Sequence, residues 1–203
     1  MVAHLDTTTP LHDEKLRLAI NAHLPDDVSV LEVRTRAPDF QSQFDCTYRR
    51  YLYRLRVVRG DPRGAVLNRD RVLPVHDVLD VDLMRRASEA LVGRHDFSAF
   101  ATQETRTTER EVYLCDLRPE RGELRLHIAA DGFLRNMVRA IVGTLLWVGT
   151  GRLSPTDVAD IVRSGDRSRA GPNAPPYGLY FVEAGYEPWD RAASDRRVAD
   201  LVV

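Results

Sequence analysis

Thr47-Tyr48-Arg49-Arg50-Tyr51-Leu52-Tyr53-Arg54 sits in a run from Phe44 to Val58 that alternates residue by residue, and that alternation decides the fold class. A period of two belongs to a strand, and the two faces of this one differ sharply. Tyr51, Tyr53, Leu55 and Val57 share one face, and Arg50, Arg54 and Arg56 share the other. Aromatics interleaved with guanidinium groups can stack bases and neutralise phosphates along a strand. The same pattern is also the ordinary one for a half-buried strand, with tyrosines packed inward and arginines in water.

On either side of this strand the chain mixes helical and extended segments without strict alternation. Upstream, Met1–Leu5 and Val28–Thr35 alternate as strands, and Leu11–His23 carries Leu16, Ala19, Ile20 and His23 on one helical face. Downstream, Gly60–Gly64 reads as a turn, and a helix capped by Asp80 ends at Gly93. Glu111–Leu117 and Glu123–Ala130 make a hairpin around Pro119–Gly122. An apolar helix follows over Phe133–Val148. Ser154, Pro155 and Asp157 open another that ends near Gly165, and Gly178–Tyr186 forms a last strand. Hairpins mixed with non-alternating helices predict an α+β fold, antiparallel sheets flanked by helices, rather than a doubly wound parallel sheet.

Composition narrows the function classes. The 203 residues are 43% hydrophobic, enough for a folded core, and carry a net charge of -1. No apolar run approaches the roughly 20 residues of a membrane-spanning helix, and no signal-peptide pattern opens the chain, so a cytoplasmic protein with no membrane partner is expected. Lys15 is the sole lysine, so nearly every positive charge is a guanidinium suited to phosphates and bases; genomic codon bias is the competing explanation. Cys46 and Cys115 have no partner at metal-ligand spacing and read as buried small hydrophobes. The six histidines show no metal spacing, and no phosphate loop or Ser-His-Asp arrangement is present.

The Phe133–Val148 helix is apolar around most of its circumference except for Arg135, Asn136, Arg139 and Gly143. Nothing acidic lies within helical reach of Arg139. Either its partner comes from elsewhere in the fold, or these residues form a solvent-facing polar stripe. Asp131 and Asp96 are most simply helix N-caps.

Several segments, in order, resemble the tRNA pseudouridine synthase A family. They are Val2-Ala3-His4-Leu5-Asp6-Thr7, Asn21-Ala22-His23-Leu24-Pro25, Asp39-Phe40 through Phe44 with Arg49–Tyr53, Gly93–Phe100, Met137–Gly143 and Ala174–Tyr180. The resemblance implies a pseudouridine synthase fold of two related subdomains. Residues 1–40 would be a remnant of the N-terminal subdomain without its first part, 41–190 the catalytic subdomain, and 191–203 a tail with no counterpart. It implies a homodimer that isomerises uridine to pseudouridine in the tRNA anticodon stem-loop with no cofactor or metal. Tyr51 would stack on the flipped base, Arg139 would pair with the nucleophilic aspartate, and Arg49, Arg50, Arg54 and Arg135 would contact RNA. That aspartate belongs to an R-T-D-A-G-V-H loop upstream of the segment matching Val2–Thr7. No Asp of this sequence matches it, so the 203 residues alone are expected to be inactive. The alternatives are a non-catalytic RNA-binding protein and a decayed structural remnant.

Overall fold

The computed structural model describes residues 1–58, 63–102 and 107–199. The chain divides into two compact units, Val2–Cys46 and Thr47–Val203, Met1 being grouped with the second. Most of the turn expected at Gly60–Gly64 lies outside the described residues.

In the smaller unit the expected helix is present but trimmed, α1 covering Asp13–Asn21. Side chains rather than a core organise the rest. Asn21 brackets the backbone of Val30, with its Nδ2 donating to the Val30 carbonyl at 2.9 Å and its Oδ1 accepting from the Val30 amide at 2.7 Å. The Asp13 carboxylate accepts from both the amide and the hydroxyl of Thr35. Met1–Leu5 and Val28–Thr35 are not strands. Alternation creates two faces, but a strand also needs a neighbour for its amides and carbonyls, and no described residue supplies a ladder to either segment. No residue of this unit is buried, and Leu5, Leu11, Leu18, Val28, Leu31 and Phe44 are exposed.

The larger unit is built on one six-stranded sheet. Strand β1, Tyr48–Val57, is shorter at its start than the sequence suggested, Phe44–Cys46 being turn and loop. After α2 (Arg63–Leu67) come β2 (Leu73–Val75), α3 (Val81–Glu89), β3 (Gly93–Asp96), β4 (Glu109–Glu120) and β5 (Glu123–Ala130). Then follow α4 (Met137–Gly149), α5 (Pro155–Ser164), β6 (Leu179–Gly185) and α6 (Arg191–Ala199). One edge of β1 pairs antiparallel with β5; the other is shared, β6 taking Tyr48–Tyr53 and β2 taking Leu55–Val57. Only the β1–β2 pair is parallel, so the α+β expectation holds. The β4–β5 hairpin closes on Arg121-Gly122, both at positive φ as mirror-image two-residue turns require.

The sheet has an apolar front and a charged back. On the front, Tyr53, Leu55, Leu124, Leu126 and Ile128 join Met84, Leu91, Ile141, Leu145, Val158 and Ile161 of α3, α4, α5 and the turn after α3 in one core. The ends of α3 and α5 match their expected chemistry: Asp80 accepts from the Leu83 amide, and Ser154 and Asp157 form a reciprocal capping box. Helix α4 starts at Met137, not Phe133, because Asn136 takes a left-handed backbone (φ 63°) that no helix can run through. Asp131 does not cap α4. Its carboxylate accepts instead from the Glu111 amide at 3.0 Å, tying the entry loop to β4. Asp96 does cap a turn, accepting from the Ser98 amide. Cys115 is buried, and burial pushes its thiol up to about 12, whereas Cys46 is only half-buried.

Candidate active site

Tyr51 stands on the front face of β1, half-buried between two phenyl rings. Phe133 meets it edge-on at 5.0 Å from the entry loop of α4, and Phe181 meets it at 5.2 Å from β6. Edge-to-face contacts of this kind fix a ring's plane as well as its position. A register shift in β6 between the partners of Arg50 and Tyr51 sets Phe181 opposite Tyr51. Burial raises the Tyr51 phenol above its ordinary value, so the ring is presented neutral at pH 7.

Arg139, also half-buried, projects from the first turns of α4 and is held on two sides. Its Nε donates to the Ala174 carbonyl at 2.6 Å and its Nη1 to Asn136 Oδ1 at 3.0 Å. The Ala174 amide returns a bond to the Arg139 carbonyl at 3.0 Å, so the Gly171–Gly178 segment is stitched to α4 at one residue. Two glycines allow this approach. A Cβ on Gly143 would collide with the Pro172 carbonyl oxygen and lie 2.9 Å from its carbon, while one on Gly171 would lie 2.5 Å from the Gly143 carbonyl. Thr144 Oγ1 accepts from the Gly171 amide at 2.8 Å, and Tyr53 donates its hydroxyl to the Pro175 carbonyl at 2.6 Å. Arg167 braces the same segment through the Gly171 carbonyl and Asn173 Oδ1. One loop therefore spans α4 and β1 and fixes the guanidinium on the front side of the sheet. Among the described residues no carboxylate pairs with Arg139, and its Nη2 has no hydrogen-bond partner. The front of the sheet therefore carries a flat neutral ring and a guanidinium held in place by α4 and the loop.

The four arginines expected to contact RNA do not lie together. Arg49 is on the Tyr51 face and donates to the Asp131 carbonyl, and Arg135 is exposed on the α4 entry loop. Arg50 and Arg54 point to the back of the sheet, where each is taken by a carboxylate. Arg50 is 1% exposed and bound to Asp195 at 2.8 Å, while Arg54 binds Glu123 through two bonds of 2.8 Å. Burial works to raise the Glu123 carboxyl, but the hydrogen bond and charge of Arg54, with Arg125 beyond, outweigh it and hold it below the usual range. The period-two pattern separated the faces but could not say which one a second layer would cover. Phe133, Phe181 and Asn136 were not singled out as site residues. Asn136 did carry a signal, since it belongs to the narrow polar exception on an apolar segment.

Among the described residues no group of three or more His, Cys, Asp or Glu could hold a metal ion, and no helix is long and apolar enough to cross a membrane. A family model described as tRNA pseudouridine synthase matches residues 87–187. A tRNA pseudouridine synthase A of Thermus thermophilus is 43% identical over 190 residues, covering 92% of this chain and 74% of the relative. One of Methylobacterium radiotolerans is 42% identical over 194 residues, covering 92% and 76%, and one of Syntrophomonas wolfei is 38% identical over 187, covering 91% and 74%. With that identity over that share of both chains, this protein belongs to the tRNA pseudouridine synthase A family.

Proposed function

We propose that the protein is a tRNA pseudouridine synthase acting on uridine in the anticodon stem-loop, as a cytoplasmic homodimer without cofactor. The observation that carries the reading is the Arg139 guanidinium, immobilised by Ala174 and Asn136 yet unpaired with any described carboxylate, on the same side of the sheet as Tyr51. An arginine held this way is prepared for an acid that arrives from elsewhere, because a half-buried guanidinium gains most from a fixed counter-charge. On this reading Tyr51 stacks on the extruded uracil and Arg139 holds the nucleophilic aspartate ionised and in place. The aspartate belongs to the upstream loop of the family pattern. Arg49 and Arg135 supply phosphate contacts on the face of the ring.

The test is tritium release from tRNA labelled at uridine C5, with the 203 residues run beside a version extended upstream through an R-T-D-A-G-V-H loop. Release by the extended version alone is expected. Release by the 203 residues themselves would move the nucleophile's role to another group. Silence from both would favour a non-catalytic RNA-binding role, with a tRNA-binding titration to decide it.

A further inference from the structure

Helix α6 lies outside the family match, which ends at residue 187, and it rests on the charged back of the sheet. Its attachments are mainly polar. Asp195 pairs with Arg50 at 2.8 Å, and Ser194 accepts from Arg50 at 2.8 Å while donating to Glu183 at 2.5 Å. Arg191 pairs with Asp116 at 2.9 Å, and Arg197 bonds Glu183 at 2.5 Å and the Tyr48 hydroxyl at 2.6 Å. Only Ser194 of its nine residues is fully buried, and Ala193 and Val198 are half-buried, so apolar burial adds little to these polar attachments.

Beneath α6 is a cavity of about 330 Å³ in which Arg50, Arg118, Arg121 and Arg125 face the carboxylates of Glu120 and Asp195. His127 also lines it but adds no charge. Its Nδ1 accepts from Arg50 and its Nε2 donates to Glu120, and burial together with the Arg50 charge lowers its pKa. Arg50 is the pivot. It is 1% exposed, its Nε has no partner, and its one ion pair among the described residues is with Asp195, a group that α6 brings from outside the sheet. Lifting α6 would withdraw that carboxylate and open Arg50 to solvent, leaving a cationic position that another anion can fill in place of Asp195. With α6 lifted, the cavity would lose Asp195, while Glu120 would stay with Arg118 and Arg125, Glu123 with Arg125 and Asp116 with Arg118, and Arg50 would be left without its ion pair.

We infer that this cavity is a binding site for a phosphate-class oxyanion, that Asp195 occupies it as an internal stand-in, and that anion binding and α6 docking exclude one another. The inference goes beyond the proposed catalysis and needs none of it. The test is hydrogen–deuterium exchange of the 191–199 amides in the intact chain, at constant ionic strength, in chloride, in inorganic phosphate, and with a short single-stranded RNA.

Phosphate should speed exchange in α6 relative to chloride while leaving α4 unchanged. Asp195→Asn should exchange roughly tenfold faster or more already in chloride, because its buried ion pair is gone. Arg121→Ala, at an exposed cavity-lining position, should blunt the phosphate response without loosening α6 in chloride. A response to both phosphate and RNA assigns the site to the phosphate group itself, and a response to RNA alone assigns it to a polynucleotide backbone. Equal exchange in chloride, phosphate and RNA, or an Asp195→Asn helix as protected as the parent, would overturn the proposal.

Discussion

Gly143→Ala adds one methyl group at the closest crossing in the larger unit. The new Cβ would collide with the Pro172 carbonyl oxygen and lie 2.9 Å from the Pro172 carbon, and both are backbone atoms that cannot rotate away. The Gly171–Gly178 loop must retreat from α4 by about 1 Å or more. At that displacement four hydrogen bonds stretch beyond useful length. They are the Gly171 amide to Thr144, the two between Ala174 and Arg139, and the Tyr53 hydroxyl to Pro175. At about 0.5–1.5 kcal/mol net for each bond, their combined loss is about 2–6 kcal/mol. Partial relaxation brings this toward the usual ceiling for overpacking, about 3 kcal/mol. In a chain of this size that lowers Tm by about 6–12 °C. Urea denaturation with a calorimetric Tm measures it. Gly151→Ala is the control, since Gly151 has positive φ but nothing within 4 Å of its Cβ, leaving only backbone strain of about 1–2 kcal/mol. A Gly143→Ala protein within about 0.5 kcal/mol of the parent, or no worse than Gly151→Ala, would refute the claim that this crossing organises the loop.

In protein carrying the catalytic carboxylate, Arg139→Ala should cut tritium release by about two orders of magnitude or more, since on the proposed reading the nucleophile loses its counter-charge; parental turnover would remove Arg139 from the site. Tyr51→Ala should cost about 1–3 kcal/mol of base stacking, and matching kinetics would leave the ring as packing between Phe133 and Phe181. Acidification should destabilise the fold through His127, whose folded pKa lies below its ordinary 6.5 because of burial and then the Arg50 charge. Well above pH 6.5 the imidazole is neutral in both states and its contribution is intact. As pH falls below that value the unfolded chain takes the proton first, and stability drops by at most about 1.4 kcal/mol per pH unit until the folded pKa is reached. His127→Gln should flatten that part of the stability profile, and an unchanged slope would remove His127 as its source.

The sheet was legible where alternation and turn chemistry agreed. β1, the β4–β5 hairpin and β6 all appear within a few residues of their expected bounds, and capping residues located α3 and α5. Alternation at Met1–Leu5 and Val28–Thr35 misled, because periodicity records which faces differ and not whether a neighbour exists to complete the ladder. The start of α4 was misplaced because a left-handed Asn is invisible to a hydrophobic pattern, and because Asp131 is as good an acceptor for a distant amide as for a helix. At the candidate site, isolation on an apolar helix drew attention to Arg139 but left a solvent-facing stripe open, and its pairing role comes from the family resemblance. Its bonds to the Ala174 carbonyl and to Asn136 follow from how a proline-rich loop crosses two glycines, which no local rule encodes. Sequence shows the guanidinium groups of Arg50 and Arg54 but not the carboxylates of Asp195 and Glu123 that meet them.

The way β1 is shared has a consequence for how the chain is made. Its inner edge is taken by β5 once Ala130 is available, but the Tyr48–Tyr53 stretch of its outer edge waits for β6, which ends at Gly185. The β4–β5 hairpin can form in microseconds, whereas synthesis from Val57 to Gly185 takes on the order of ten seconds. Throughout that interval a row of amides and carbonyls flanked by Tyr48, Leu52 and Tyr53 stands bare on the nascent chain, a template for pairing with a neighbour on the same message. A product that stops before Leu179 would keep that edge open permanently. Such a product would also lack Phe181, one of the two rings that flank Tyr51.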